Sequence, residues 1–257
     1  MTKVTQSVAV VSGGSSGIGL AVVGRLLSEG WRVAYFSQQS SRVEDTQRDL
    51  ARKHGADRVL SRIVDLREPL AVAAFLRDVE QSWGRIDALI CNAGFSPKRP
   101  SGRTPLAEVA LAEWNDVLAV NLTGAMVCCQ AVLPGMASRR QGRIVFIGSL
   151  AGRTTPRIAG ASYSASKSGL TGLMRAIVSE HSAAGVTANT ICPGRILTEM
   201  AGDPGSPANQ AALARIPCGR FGQPDDVARL VSFLIADDAD FINGATIDLN
   251  GGEFVAP

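Results

Sequence analysis

The sequence predicts a single α/β domain of the Rossmann type, a doubly wound parallel sheet of about seven strands with helices on both faces. Three observations support this fold class. Short apolar runs alternate with longer helical patterns along the whole chain. The 257 residues, 46% of them hydrophobic, are enough for one large core. A glycine-rich turn at residues 13–19 directly follows the first apolar run and leads into a helical repeat.

Seven strands are expected, each a short apolar or β-branched run bounded by turn residues or charges. They cover residues 8–11, 32–36, 59–64, 88–91, 143–147, 187–191 and 245–249. Because helical patterns separate them, the crossovers should be right-handed and the strands parallel. We assign the whole chain, residues 1–257, to this one domain. Residues 193–217 are rich in Gly, Pro and Ala without strong periodicity, which predicts a substrate lid or a surface loop, and the length favours the lid.

The turn after the first strand has the composition of a nucleotide-binding loop. Gly13, Gly17 and Gly19 allow positive φ and a close approach of the backbone to a ligand. The free N–H groups that open the following helix can then face a pyrophosphate. The spacing differs from the G-x-G-x-x-G dinucleotide pattern, so the turn by itself is compatible with an ordinary loop as well.

Turn residues, most of them glycine, proline or polar, follow five of the predicted strands. They are Gly13, Asp65, residues 92–94, Ser149 and residues 193–194. Each is an ordinary turn residue when taken alone. In an open parallel sheet, however, the carboxyl ends of the strands form the ligand-binding edge. Together these residues predict a cleft for a cofactor and a substrate.

One pair of residues suggests acid–base chemistry. The chain has only two tyrosines, and one of them, Tyr163, precedes Lys167 by four positions. This spacing places both side chains on one face of a helix. An ammonium near a phenol lowers the pKa of the phenol, which would let Tyr163 protonate an alkoxide. Ser149 ends the preceding strand, where its hydroxyl could hold a carbonyl oxygen. The alternative is an exposed helix with one aromatic anchor.

With these motifs, the sequence resembles the short-chain dehydrogenase/reductase family over nearly the whole chain. Residues 12–19, SGGSSGIG, are similar to the family's Thr-Gly-x-x-x-Gly-x-Gly loop, with Ser12 in place of Thr. Residues 91–94, CNAG, resemble its Asn-Asn-Ala-Gly element, with Cys91 in place of the first Asn. Residues 193–198, PGRILT, are similar to the segment that holds the nicotinamide amide and the phosphates.

The resemblance implies a catalytic tetrad of Asn121, Ser149, Tyr163 and Lys167. Tyr163 would be the acid and base, and Lys167 would bind the nicotinamide ribose and lower the tyrosine pKa. Ser149 would orient the substrate carbonyl, and Asn121 would hold a water that relays protons. The implied activity is NAD(P)-dependent interconversion of a carbonyl and a secondary alcohol by hydride transfer.

The predicted cofactor site draws on every strand end named above. It comprises Gly13, Ser15, Ser16, Gly17, Ile18, Gly19, Ser37, Gln38, Arg42, Asp65, Leu66, Asn92, Ala93, Gly94, Tyr163, Lys167, Pro193, Gly194, Ile196 and Thr198. NADP(H) is favoured over NAD(H), because no carboxylate occurs between the second strand and Glu44. Ser37 and Gln38 can donate hydrogen bonds there, and Arg42 can reach a 2′-phosphate. No metal site is predicted.

The substrate is less defined. The chain is most similar to the 3-oxoacyl-acyl-carrier-protein reductase branch, through Arg139, Arg140 and the Arg-Phe-Gly-x-Pro element at residues 220–224. Sugar or polyol dehydrogenases and hydroxysteroid dehydrogenases share these motifs and remain alternatives. A non-catalytic nucleotide-binding regulator is an alternative of another class, which the intact tetrad disfavours.

Charge and cysteine content indicate which partners and which cell compartment to expect for this chain. The net charge is +3 with scattered basic residues, which argues against nucleic acid. Five cysteines without a C-x-x-C pair, and a chain that starts directly in a strand, predict a reduced, cytoplasmic protein. No uninterrupted apolar run approaches the length of about 20 residues that a membrane span needs. The helices at residues 114–136 and 163–178 are apolar on more than one face, which predicts a homotetramer built on them.

Overall fold

The computed structural model describes residues 6–99 and 102–256. Its centre is a seven-stranded sheet with the order β3-β2-β1-β4-β5-β6-β7, and every neighbouring pair is parallel. The strands are β1 Val8–Ser12, β2 Arg32–Ser37, β3 Val59–Ile63, β4 Ala88–Cys91, β5 Gly142–Ile147, β6 Val186–Pro193 and β7 Thr246–Leu249. The predicted fold class is therefore confirmed.

All seven predicted strands are present, with ends displaced by one or two residues everywhere except in β4. The largest difference is in β6, which is buried along its whole length and pairs with β7 as far as Pro193. The polar residues Ser12 and Ser37 still belong to β1 and β2, because each pairs with a residue of the neighbouring strand, Ser12 with Phe36 and Ser37 with Ile63. Pairing between strands, which local composition does not report, decides these ends.

Helices cover both faces of the sheet. They are α1 Gly17–Ser28, α2 Ser40–His54, α3 Pro69–Trp83, α4 Leu111–Leu118, α5 Gly124–Arg139, α6 Ala161–His181, α7 Pro207–Leu213 and α8 Pro224–Leu234. Side chains of α1, α2 and α8 pack on one face, and those of α3, α5 and α6 pack on the other. The strand order reverses between β1 and β4, which are the neighbours at the switch point where such sheets bind ligands.

The segment Leu111–Arg139 corrects one expectation from the sequence. A π turn, Ala119–Thr123, joins α4 to α5. The resulting helix has 29 residues and a mean hydropathy of 1.7 over a stretch of 18 of them, and by these two criteria alone it could cross a membrane. Glycine and isolated polar residues interrupt its apolar runs, so uninterrupted runs did not indicate this helix. The same residues barely lower its mean hydropathy. Cys128, Val132 and Met136 of this helix pack in the core beneath the sheet, as in the core helix of a globular domain.

The segment at residues 193–217 contains more regular structure than its composition indicates. A 3₁₀ turn, Glu199–Ala201, is followed by the short helix α7. The Ser206 hydroxyl accepts a hydrogen bond from the Asn209 N–H at 3.4 Å, and Pro207 occupies the first helical position. A helix this short, in which Leu213 is the one large apolar residue, has no apolar stripe, which is why periodicity did not reveal it.

Candidate active site

A cavity of about 700 Å³ lies along the carboxyl ends of the strands. Nearly all the predicted site residues line it: Gly13, Ser16, Gly17, Ile18, Ser37, Gln38, Arg42, Asp65, Leu66, Asn92, Ala93, Gly94, Ser149, Tyr163, Lys167, Pro193, Gly194, Ile196 and Thr198. The three that do not are Ser15, Gly19 and Asn121. The chain thus brings together at one edge of the sheet the residues that the sequence had placed there.

The turn at residues 13–19 needs glycine for two reasons, positive φ and a close approach of backbone segments. Gly13 and Gly17 have positive φ values of 67° and 52°. At Gly19 a Cβ atom would lie 2.1 Å from the backbone oxygen of Gly13. Helix α1 starts at Gly17, and the side chain of its N-cap residue Ser16 makes no capping hydrogen bond. The N–H groups of the first turn of α1 therefore remain available to a ligand in the cavity.

Asn92 and Ser12 hold this turn in place. The Asn92 side-chain amide donates to the backbone oxygens of Ser12 and Gly13, at 3.0 and 3.2 Å. The Ser12 hydroxyl accepts from the N–H groups of Asn92 and Ala93, at 3.0 and 3.1 Å. Serine supplies these contacts with its hydroxyl alone, so the methyl group of a threonine is not needed. Cys91, the other departure from the family pattern, is buried in the apolar core.

The residues at the turn fit a pyrophosphate-bearing cofactor. The Ser15 hydroxyl is buried and has no hydrogen-bond partner within residues 6–99 and 102–256. A buried hydroxyl without a partner is costly unless a ligand completes it. Thr198, from the far side of the cavity, lies 3.3 Å from the position that a Cβ of Gly17 would take. The uncapped helix start, the glycine cradle and the unpaired hydroxyl all favour a phosphate oxygen here.

Tyr163 and Lys167 lie one turn apart on α6, as their spacing predicts. The Lys167 ammonium lies 5.8 Å from the centroid of the Tyr163 ring and donates to the Ile147 oxygen at 2.7 Å. Lys167 is only 4% exposed, and this burial lowers its pKa to about 8. A Cβ atom on Gly94 would lie 3.2 Å from the ammonium nitrogen. Glycine at this position therefore lets the loop after β4 approach Lys167 without displacing its ammonium.

The pKa of Tyr163 differs from the expectation based on its lysine neighbour. Burial raises this pKa above its ordinary value, and a hydrogen bond with Ser149 acts in the opposite direction. Lys167, whose ammonium is bound to the Ile147 oxygen, does not offset this effect of burial. Ser149 Oγ also accepts from the Ala151 N–H at 3.1 Å, which fixes its position beside the phenol. Tyr163 accordingly carries its proton at neutral pH.

Asn121 lies in the π turn and is almost fully buried. Its amide oxygen accepts from the Phe95 N–H at 2.9 Å, and its amide nitrogen donates to the Phe95 oxygen and the Ser166 hydroxyl, both at 3.0 Å. Both side-chain donors are therefore used within the protein. The Asn121 side chain positions the loop after β4. Because both amide donors are used, Asn121 can bind a water only through its oxygen acceptors. π turns are common at functional sites, because they redirect backbone carbonyls.

The end of the cavity beside β2 contains the residues expected to contact the adenosine ribose. Ser37, Gln38 and Arg42 line it. Arg42 forms an ion pair with Glu199 of the 193–217 segment, at 2.7 Å, so its guanidinium is already engaged. Gln38 accepts a hydrogen bond from Arg67 at 3.1 Å. Neither contact was apparent from the sequence, because both join segments that are distant along the chain.

The cavity also contains charged residues that sequence reasoning missed. Besides Glu199, they are Lys98, Arg157, Arg195, Arg215 and Glu253. Arg195 belongs to the PGRILT motif at residues 193–198, and its position directly after Pro193 and Gly194 could have identified it as a site residue. The others follow no recognisable spacing, since each comes from a different loop.

Comparisons with known proteins agree with this geometry. A family model described as "Enoyl-(Acyl carrier protein) reductase" matches residues 13–253. An acetoacetyl-CoA reductase of Shinella zoogloeoides is 38% identical, over 96% of this chain and 98% of the relative. A 3-oxoacyl-[acyl-carrier-protein] reductase FabG of Vibrio cholerae is 33% identical, over 96% and 97%. The crystal structure of gox2181 superposes with a TM-score of 0.90 at 32% identity, covering 97% of this chain and 96% of that one. The chain belongs to the short-chain dehydrogenase/reductase family, whose members are nicotinamide-dependent oxidoreductases.

Proposed function

We propose that this protein is an NADP(H)-preferring reductase that converts a 3-oxoacyl substrate, carried on coenzyme A or on an acyl carrier protein, into the 3-hydroxyacyl product. The substrate class is supported by the relatives, which are named as acetoacetyl-CoA and 3-oxoacyl-carrier reductases. The observation that carries the reaction type is the buried Lys167 ammonium beside the Tyr163 ring in the cavity wall. A buried, uncompensated ammonium is costly, and a purely structural helix has no need of one.

The residues divide the work as follows. The nicotinamide, when bound, supplies the hydride to the carbonyl carbon. Tyr163 donates its proton to the oxygen that becomes the alcohol, and its raised pKa keeps that proton in place at neutral pH. The Ser149 hydroxyl donates a hydrogen bond to the same oxygen. Lys167 binds the nicotinamide ribose, and Asn121 holds a water through its remaining acceptors.

The cofactor is held by the strand ends. The start of α1 with Gly13, Ser15, Ser16, Gly17, Ile18 and Gly19 binds the pyrophosphate, and Pro193, Gly194, Ile196 and Thr198 bind the nicotinamide side. Asp65, Leu66, Asn92, Ala93 and Gly94 border the adenine and its ribose. NADP is preferred because Ser37, Gln38 and Arg42 present donors beside that ribose, and because no carboxylate occurs along the chain between β2 and Glu44. For Arg42 to meet the 2′-phosphate, its ion pair with Glu199 has to open.

Assembly and location complete the proposal. The chain is one domain, residues 1–257, with residues 193–217 as a lid over the substrate. It forms a homotetramer through α4, α5 and α6, where Leu111 is 72% exposed and Val127 and Leu173 are only partly covered. It resides in the cytoplasm, consistent with its free cysteines. Light scattering at micromolar concentration should give the mass of four chains, and a monomer would contradict this assembly.

The deciding experiment follows NADPH and NADH oxidation with acetoacetyl-CoA and with sugar, polyol and steroid ketones. Reduction of acetoacetyl-CoA with NADPH is expected. Tyr163→Phe should lower turnover by roughly 10²- to 10⁴-fold while cofactor affinity stays within a few-fold, because only the proton donor is lost. Lys167→Ala should damage both turnover and cofactor affinity. Equal losses of cofactor affinity in the two variants would contradict this division of roles, and faster reduction of another ketone class would reassign the substrate.

A further inference from the structure

The charged side chains of the cavity do not balance. Among the described residues, Glu199 is paired with Arg42, and Glu253 with Arg215 at 3.3 Å. Asp65, the third acidic residue of the cavity wall, is paired with a neighbouring arginine at 2.8 Å. No carboxylate within residues 6–99 and 102–256 forms an ion pair with the other cations of the wall. These are Lys98, Arg157, Lys167 and Arg195.

Arg195 is the most rigidly held of these cations. Its Nε donates to Asn209 Oδ1 at 2.6 Å, and its Nη2 donates to the Ala201 oxygen at 2.8 Å. Asn209 is fully buried, so the guanidinium has a fixed anchor. Burial lowers the pKa of Arg195, and its side chain lines the same cavity as the proton donor Tyr163. Its Nη1 makes no hydrogen bond within the described part of the chain.

Lys98 converges on the same place from the loop after β4. Its ammonium donates to the oxygen of Met200, the carbonyl next to the one that binds Arg195. Adjacent carbonyls belong to residues whose Cα atoms are about 3.8 Å apart. Burial and the positive charge of Arg195 lower the pKa of Lys98. Lys98 and Arg195 are therefore two like charges held by neighbouring residues of one segment and hydrogen-bonded only to neutral acceptors, which favours an anion between them.

We infer that Arg195 and Lys98 form an oxyanion subsite, which binds a negatively charged group of the substrate in the cavity that Tyr163 also lines. The inference rests on the proposed carbonyl reduction and specifies how the substrate is selected. Two sources can supply this chemistry: the carboxylate of a free 3-oxo acid, or a phosphate of a thioester carrier. A guanidinium with one free nitrogen and an adjacent ammonium suits either, because charge-assisted hydrogen bonds to an oxyanion need only donors and fixed geometry.

A calorimetric binding experiment on the NADP⁺-loaded protein tests the subsite. One pair of probes is 3-hydroxybutyrate and its neutral amide, 3-hydroxybutyramide. The other is 4′-phosphopantetheine and pantetheine, which lacks only the phosphate. We expect the anionic member of at least one pair to bind about tenfold more tightly or better. The pair that shows the preference identifies the source of the oxyanion. The absence of a preference in both pairs overturns the inference.

Variants separate anion binding from a merely structural role in holding the 193–217 segment. Arg195→Met and Lys98→Met should each reduce the preference several-fold, whereas loss of a structural contact would weaken both members of a pair equally and leave their ratio unchanged. Arg195→Lys, which keeps the charge, should retain part of the preference and guards against misfolding of the methionine variant. The matched control is Arg52→Met, an exposed arginine on α2.

Three results decide the outcome. A preference that survives both methionine changes overturns the subsite. A drop in NADP⁺ affinity without a change in either ratio also overturns it, because these cations would then serve the cofactor. If the protein reduces no 3-oxoacyl thioester with NADPH, the proposed function fails, but the two binding ratios still decide whether the subsite exists.

Discussion

The buried ammonium of Lys167 makes a quantitative prediction about pH and stability. In the folded chain burial lowers its pKa from 10.5 to about 8, and in the unfolded chain the ordinary value returns. Below about pH 8 the ammonium is charged in both states, and its burial destabilises the folded state by roughly 3 kcal/mol. Between about pH 8 and the unfolded value near 10.5, the unfolded chain binds more protons than the folded chain. The contribution of Lys167 to the free energy of unfolding therefore rises with pH in this window.

Lys167→Met removes the titrating group and keeps most of its apolar stem. We expect the free energy of unfolding of the wild type, minus that of Lys167→Met, to rise by roughly 2 to 3 kcal/mol between about pH 7 and pH 10. Taking the difference cancels the other groups that titrate there, and it also cancels the pH-independent loss of the hydrogen bond to Ile147. The measurement is urea unfolding of the ligand-free protein, followed by tryptophan fluorescence, at a series of pH values.

Lys53→Met is the matched control, because Lys53 is an exposed lysine on α2. A wild-type minus Lys167→Met difference that stays flat within about 0.5 kcal/mol over this range would refute the reasoning. It would mean that the ammonium is solvated in solution, and that the site does not hold a desolvated charge beside Tyr163.

Two further changes test the cofactor end of the cavity. Ser37→Asp should lower the kcat/KM ratio of NADPH to NADH by about one to two decades, because a carboxylate lining the cavity meets the 2′-phosphate with like charge; Ser41→Asp, which adds the same charge on an exposed position of α2, should change the ratio much less, and equal effects would contradict the placement of Ser37. Gly19→Ala should destabilise the chain by about 1–3 kcal/mol and weaken cofactor binding, since its Cβ falls 2.1 Å from a backbone oxygen of the glycine turn. Gly24→Ala in the same helix meets nothing within 4 Å and should be neutral or stabilising by up to about 1 kcal/mol in thermal unfolding.

Much of this protein could be predicted from local sequence. Short runs of apolar and β-branched residues identified all seven strands. The clearest are β1 and β4, because strands buried on both faces need nearly continuous apolar sequence. The glycine turn was predictable because positive φ and close approach leave few residue types possible. The spacing of Tyr163 and Lys167 was sufficient to place them together, because one helical turn fixes their separation.

Contacts between distant segments were decided only by the tertiary structure. The ion pair of Arg42 with Glu199 joins α2 to a segment more than 150 positions away, and no local pattern encodes that pairing. The same holds for Lys98, whose ammonium reaches the 193–217 segment from the loop after β4 by binding the Met200 carbonyl. Helix α7 also escaped the sequence pattern, because its cap and its packing stabilise it in place of an apolar stripe.

The sequence by itself determined the fold, the order of the strands along the chain and the residues at the sheet's carboxyl edge, because these follow from backbone sterics and from periodicity. The tertiary structure alone decided the electrostatics of the site. Tyr163 has a raised pKa and Lys167 a lowered one, because the free energy of a charge depends on how much water and which partners surround it once all segments have packed. Burial of that kind is a property of the assembled chain, and no stretch of sequence carries it alone.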